Sequence, residues 1–319
     1  MDALGIDIGG TKIASGVYDD KHHLIQEWHV PTPRTAVAID QQLVASYERA
    51  KQISSIAAIG ISAAGNVRAD RRTMSFSANI PAWIDYPLAE KLEIAIDHEC
   101  SVIVENDANS AGWGEFVCGA GKDSRNMVML TVGTGLGAAF VLDRHLYRGS
   151  FGMAAEVGHF PMVPDGRFCG CGLSGCAEKY VSGPALEQFA QASVRRDPVA
   201  GKRLISMAAG NVTAISGQMI FEAATDGDPV AIEAFSWVGQ WLGRTMAAIS
   251  ALLDPDLFVI GGGLSATGDI LLEPARRSYA RYLQAAQYRP HAGIVTASAG
   301  WQAGMLGVAD LAMREITQR

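Results

Sequence analysis

Three thiols and an imidazole crowd into eighteen residues of this chain: His159, nine intervening residues, then Cys169-Gly170-Cys171-Gly172-Leu173-Ser174-Gly175-Cys176. They include three of the five cysteines in the sequence. Such a donor set suits zinc, which three thiolates and one imidazole close into a tetrahedron with no position left for a reactive water. Small thiols also pack in cores as hydrophobes, but a Cys-x-Cys-x4-Cys run in a glycine-rich loop does not suit packing. The expected ion is therefore a structural clamp held by His159, Cys169, Cys171 and Cys176. Glu156 and Glu178 flank it. Glu156 and His159 stand three apart and share a face if the segment makes a helical turn. Zinc on one nitrogen of His159 fixes the ring and leaves the other nitrogen for a hydrogen bond. Glu178 follows Cys176 by two residues and is anchored by the same ion. Two carboxylates and an imidazole on a rigid loop suit a polyhydroxyl ligand, because each carboxylate accepts from two hydroxyls.

A second group lies upstream, in Val104-Glu105-Asn106-Asp107-Ala108-Asn109. An Asn-Asp pair at the end of a strand offers an amide that donates and accepts, beside a carboxylate that takes a proton. The same pair also suits a helix N-cap, since Ala108 to Phe116 reads as helical. Glycine turns bracket this group. Residues 4–18 alternate through Leu4, Ile6 and Ile8, turn at Gly9-Gly10, and resume; residues 128–142 repeat the scheme around Gly133-Thr134-Gly135. Tight hairpin turns need positive φ, so these glycines are expected to adopt it. A third apolar run, Leu257 to Ile260, enters Gly261-Gly262-Gly263. Backbone N–H groups in such turns point at an anion with no β-carbon in the way. The repeat suggests a duplicated domain that grips phosphates. A polyol beside phosphate loops means a carbohydrate kinase.

The elements that position these groups alternate between strand and helix. Ile56–Ile61 and Ser101–Val104 read as strands. Asp228-Pro229 starts a helix whose apolar stripe is expected to run through Ile232, Phe235, Val238, Trp241, Leu242, Met246 and Ile249. A last helix spans about Ala303 to Ile316. Arg276, Arg277 and Arg281 are expected on a solvated helix face, Cys100 and Cys118 in the core. With 319 residues, 49% hydrophobic and 18% charged, the chain buries a large core and does not read as disordered. A net charge of −7 offers nucleic acid and anionic lipid no general attraction. The longest nearly apolar run, Met127 to Leu142, falls short of the roughly 18 residues of a membrane span. Reduced cysteines and no apparent targeting segment imply a cytoplasmic protein.

These residues are similar to the ROK family of sugar kinases and repressors, over essentially the whole chain. The motifs that carry the resemblance are Asp7-x-Gly9-Gly10-Thr11-Lys12, Glu105-Asn106-Asp107-Ala108, Gly133-Thr134-Gly135-Leu136-Gly137, Glu156-x-Gly158-His159, Cys169-Gly170-Cys171-Gly172 and Gly175-Cys176-Ala177-Glu178. Segments such as Gly60-Ile61-Ser62-Ala63-Ala64-Gly65 and Met162-Val163-Pro164-Asp165-Gly166 resemble the bacterial ATP-dependent glucokinases within it. The resemblance implies an α/β, actin-like ATPase (ribonuclease H-like) fold, two lobes with a duplicated core around a central cleft. It implies a smaller lobe of residues 1–118 with 302–319, carrying the first phosphate loop and Asp107. The larger lobe, 119–301, would carry the second phosphate loop, the zinc loop and the nucleoside site.

Carried over position by position, the resemblance implies Asp107 as the base for the 6-hydroxyl of glucose. Asn79, Asn106, Asp107, Glu156, His159 and Glu178 would bind the sugar, with Gly65 and Gly135 beside them. Gly9, Gly10, Thr11, Lys12, Gly133 and Thr134 would face the ATP phosphates, and Gly261 and Gly262 the nucleoside. Magnesium would enter with ATP, with Asp7 in its outer shell. A homodimer or homotetramer fits the family, with neither nucleic acid nor membrane as partner. The chain departs from many members in having Ala63-Ala64 near the usual Pro-Gly, and Ala138-Ala139 where Gly-Gly is common. Kinases for N-acetylmannosamine, N-acetylglucosamine or fructose are alternatives, as are polyphosphate as donor and a sugar-responsive regulator. Only three residues precede the first strand, which leaves no room for a repressor's helix-turn-helix, so an enzyme is expected.

Overall fold

The computed structural model describes residues 2–317, arranged in two units of contact: residues 2–127, 139–155 and 297–317, and residues 128–138 and 156–296. The chain opens with strands β1 (Asp2–Ile8), β2 (Lys12–Tyr18) and β3 (Leu24–Pro31), helix α1 (Ala36–Lys51) and strand β4 (Ile56–Ala63). A short ribbon follows, β5 (Asn66–Val67) with β6 (Met74–Phe76), then α2 (Leu88–Ala95), β7 (Ser101–Asn106) and α3 (Asp107–Cys118). These strands form a five-stranded sheet in the order β3-β2-β1-β4-β7. β1 to β3 pair antiparallel; β4 and β7 pair parallel. Ile6, Ile59 and Val102 are fully buried against Ile39 and Leu43 of α1 and against Trp83.

Strands β8 (Met127–Val132), β9 (Leu136–Leu142) and β10 (His145–Tyr147) start the second pattern. Helices α4 (Gly183–Arg196), α5 (Lys202–Met207), α6 (Gly217–Thr225) and α7 (Pro229–Leu253) follow, then β11 (Leu257–Gly261), α8 (Asp269–Tyr282) and β12 (Gly293–Thr296). The second sheet has the order β10-β9-β8-β11-β12. Numbered within each half, both sheets read 3-2-1-4-5, which is the duplication expected from the repeated glycine hairpins. The chain closes with α9 (Ala303–Thr317), which packs on the first sheet where Gly5 and Gly60 leave room for the Met305 and Val308 carbonyls.

Helix α7 starts as the sequence predicts. Asp228 accepts from the Ala231 N–H at 2.9 Å, and Pro229 takes the first position. Its buried line runs through Ala231, Phe235, Val238, Leu242, Met246 and Ile249, so Ile232, one residue out of phase, is 45% exposed instead of core. Three further expectations need correction. The hairpin glycines 9, 10, 133 and 135 do not enter the left-handed region. Beyond the Ile8–Ile13 pair the first loop is closed by the Gly9 N–H, which donates to the Lys12 carbonyl at 3.0 Å with neither Gly9 nor Gly10 in the left-handed region. Cys100 is buried, but Cys118 is exposed, since it ends α3 beyond the buried stretch Gly112–Phe116. Arg276 is not merely solvated: it donates to Asp269, Glu273 and the Ile294 carbonyl, tying α8 to β12.

Candidate active site

In the first unit the Asn-Asp pair stands where β7 turns into α3. The cap falls to Asn106, not Asp107: Asn106 Oδ1 accepts from the Asn109 N–H at 3.0 Å. Its Nδ2 donates to the Gly65 carbonyl and to Asp107 Oδ1, both at 3.1 Å. Asp107 Oδ1 also accepts from the Ala108 N–H at 2.9 Å, and the residue is exposed. An oriented carboxylate at the positive end of a helix results. Gly65 has φ +131°, and a β-carbon there would collide with the Phe76 carbonyl. The turn needs glycine even without the usual proline.

Asn79 is exposed and lines a cavity of about 270 Å³ with Gly9, Gly10, Arg34, Ala64 and Ser77. The first glycine loop is braced by Thr32, whose Oγ1 donates to the Gly9 carbonyl at 2.7 Å. Asp7 accepts from Ser62 Oγ at 2.6 Å. Burial raises its pKa; the Ser62 bond and the Lys12 charge pull the other way. Lys12 Nζ lies 4.9 Å from the Trp301 ring centroid, a cation–π contact, and Thr11 is exposed.

The second unit gathers the other candidates. Glu156 precedes a single 3₁₀ turn, Val157–His159, and the His159 N–H donates to the Glu156 carbonyl at 3.1 Å. Gly158 presses on the Leu136 carbonyl, where a β-carbon would collide. Glu178 Oε2 accepts from the Leu136 N–H at 3.2 Å and would strike any β-carbon on Gly135. The second glycine loop, the His159 turn and Glu178 therefore meet at residues 135–136. Glu156 keeps solvent access, yet the protein around its carboxyl raises its pKa; His159 opposes this and the Glu178 charge adds to it. The Gly133 carbonyl accepts from the Gly183 N–H at 2.7 Å, and Thr134 is exposed. Gly262, after the buried Gly261, has φ +82° and lies against the Val132 backbone, so only glycine fits there.

His159, Cys169, Cys171 and Cys176 offer one ligand atom each, all within 4.8 Å of one another. His159 Nδ1 and Cys169 Sγ are 3.7 Å apart, Cys171 Sγ and Cys176 Sγ 3.6 Å. Ligands at zinc's bond lengths in a tetrahedron stand roughly 3.6–3.8 Å apart. The four residues thus fit zinc in donor type and number, and the His159–Cys169 and Cys171–Cys176 pairs fit it in spacing as well.

Residues 3–315 match the ROK family. The chain belongs to the ROK family. A glucokinase from Streptomyces coelicolor is 44% identical over 309 residues, 97% of this chain and 96% of that one. Among solved structures, a ROK family glucokinase from Streptomyces griseus, in complex with glucose and AMPPNP, has a TM-score of 0.85 and 42% identity. The match covers 98% of this chain and all of that one. A ROK hexokinase from Thermus thermophilus also has a TM-score of 0.85, with 32% identity and full coverage of both chains. The fold of this ROK protein is accordingly the two-lobed actin-like ATPase fold.

Sequence reasoning missed the supports. Glu105 is 2% exposed, and its carboxylate accepts from Arg148 Nε at 2.6 Å, Asn109 Nδ2 at 3.0 Å and the Asn106 N–H at 3.1 Å. Arg71 adds a charge at 3.7 Å; burial, then Arg148, bring its own pKa down to about 10 against the pull of Glu105 and Glu315. A buried, fully bonded Glu beside the candidate base had one local sign, its place between an apolar strand and Asn106. Its arginine partners had none.

Proposed function

We propose that this ROK protein is an ATP-dependent glucokinase that transfers the γ-phosphoryl group to the 6-hydroxyl of glucose. The observation that carries the reading is the near-full-length likeness to a glucokinase that holds glucose and AMPPNP. The local geometry is consistent with it. Phosphoryl transfer passes through a loose transition state, so the protein contributes mainly position and charge. Asp107 is the base that accepts the hydroxyl proton, its carboxylate oriented by Asn106 and Ala108. Asn79, Asn106, Glu156, His159 and Glu178 bind the sugar hydroxyls, with the backbone at Gly65 and Gly135 beside them. His159 can serve two ends: Nδ1 faces Cys169, and Nε2 is left for a hydroxyl.

The loops at Gly9–Lys12 and Gly133–Thr134 face the nucleotide phosphates, and Gly261–Gly262 the nucleoside. Magnesium would enter with ATP, and Asp7 is the carboxylate that would support it there, the ion supplying charge neutralisation of the phosphates. Zinc, when bound by His159 and the three cysteines, supplies rigidity and no chemistry. Among the described residues no helix is long and apolar enough to cross a membrane. A cytoplasmic setting, where thiols stay reduced, and a homodimer or homotetramer complete the proposal.

The test is ADP release with ATP and magnesium across glucose, N-acetylmannosamine, N-acetylglucosamine and fructose. Glucose is expected to lead in kcat/KM by about tenfold or more, roughly 1.4 kcal/mol of transition-state preference. Another winner moves the specificity to that sugar, and no turnover with any of them overturns the kinase reading.

A further inference from the structure

The cysteine loop has a second anchor that contains no metal ligand. Arg167, two residues before Cys169, donates from Nη1 to the Lys179 carbonyl at 3.0 Å, and its backbone N–H donates to the Tyr180 hydroxyl at 3.0 Å. Its guanidinium lies 5.3 Å from the Tyr180 ring centroid and 4.9 Å from that of Trp237 on α7. Tyr180 is 7% exposed, with its ring 4.7 Å from Trp241. Gly166 permits this approach, because a β-carbon there would strike the Tyr180 hydroxyl. One side chain thus joins residue 167 to residues 179 and 180, across the stretch that holds all three cysteines, and fastens the loop to α7.

We propose that Arg167 is a positioning residue for Glu178 and for the metal ligands. Glu178 sits between two fixed points, Cys176 in the cysteine cluster and the Lys179–Tyr180 pair beneath Arg167. Its carboxylate then meets the Leu136 N–H at the end of the second glycine loop. Closing the base of the loop beforehand removes part of the ordering entropy that both metal and sugar would otherwise oppose. The Glu178 arm of this inference rests on the glucose reading above, and the metal arm on the fit of the cluster to zinc.

The experiment compares wild type, Arg167→Ala, Arg167→Lys and Tyr180→Phe for zinc content, zinc release to a chromogenic chelator, and steady-state kinetics. Arg167→Ala is expected to release zinc about tenfold faster, as loss of a support around metal ligands does. Its glucose KM should rise about fivefold to tenfold, with kcat within about twofold and the ATP KM unchanged, the pattern of lost ground-state binding. Arg167→Lys keeps a cation over the rings and a donor for the Lys179 carbonyl, and recovers part of both effects. Tyr180→Phe keeps the ring and loses only the acceptor; it is the milder variant if Arg167→Ala does not fold, and shifts both readouts in the same direction. Zinc release and glucose KM at wild-type values in both Arg167→Ala and Tyr180→Phe would overturn the proposal, as would a fall in kcat alone. Wild-type protein that takes up no zinc would overturn the metal arm together with the zinc reading. Wild-type protein that binds zinc but turns over no sugar would overturn the Glu178 arm together with the kinase reading.

Discussion

Glu105 and Asp107 stand two residues apart and meet opposite environments. Glu105 is buried and bonded by Arg148, Asn109 and the Asn106 backbone, so it braces the strand end. Asp107 is exposed at the first turn of α3, with its orientation set by Asn106 Nδ2 and the Ala108 N–H. Asp107→Asn keeps an oxygen for both of those donors and removes the basic carboxylate. Its kcat is therefore expected to fall by about 10²–10⁴, the usual share of a positioned base, with glucose KM changed far less. Near wild-type kcat, with circular dichroism confirming an intact fold, would take the proton-accepting role away from Asp107.

At the scale of elements, α9 decides how the first unit is closed. Gly114 of α3 and Gly307 of α9 let the helices approach until backbone meets backbone, and Gly5 and Gly60 do the same for the sheet. Asp310 of α9 locks this packing: its carboxylate accepts from Trp113 Nε1 at 2.6 Å and Arg314 Nε at 2.6 Å and meets His22 Nε2 at 2.7 Å. Burial alone would raise its pKa, but Arg314, Trp113 and His22 outweigh it and hold the carboxyl below the usual range. A carboxyl lowered on folding contributes stability that is complete above its unfolded value, about 3.9, and is lost as pH falls through the folded value. Urea unfolding across a pH series should show stability declining below about pH 4 in wild type. Asp310→Asn should be less stable at neutral pH and show a shallower acid decline. An unchanged acid limb in the variant would remove Asp310 from that account.

For the whole molecule, the duplicated sheets place one glycine loop in each unit, while the cysteine cluster belongs to the second unit alone. Ligands that bind only the folded state raise the thermal midpoint by mass action. Glucose and AMPPNP are each expected to raise Tm, and removal of zinc by a chelator, or Cys171→Ser, should abolish the glucose increment while sparing the nucleotide one. Differential scanning fluorimetry with the two ligands separately reads this directly. A full glucose increment in metal-free protein would show that the clamp is dispensable for sugar binding.

Much of this protein was legible in its sequence because the signals are local. Alternating strands around Gly9-Gly10 and Gly133-Thr134-Gly135, the Asp228-Pro229 helix start and the Cys169/Cys171/Cys176 spacing each lie within one short stretch, where backbone geometry and donor chemistry act on neighbours. The same reading erred at Ile232 and Cys118, where a single step in helical phase or two residues past a buried stretch decide exposure. Only the tertiary structure paired Glu105 with Arg148, 43 residues away, and set the Glu115 carboxylate on the N–H groups of Ser298 and Ala299. It alone divided the Asn-Asp pair into a capping Asn106 and an exposed Asp107, and revealed Arg167 beneath Tyr180. The physical reason is range. Turn, cap and ligand chemistry are written in neighbouring residues, whereas the partner of a buried charge is chosen by whichever distant side chain the folded sheets bring within hydrogen-bonding distance.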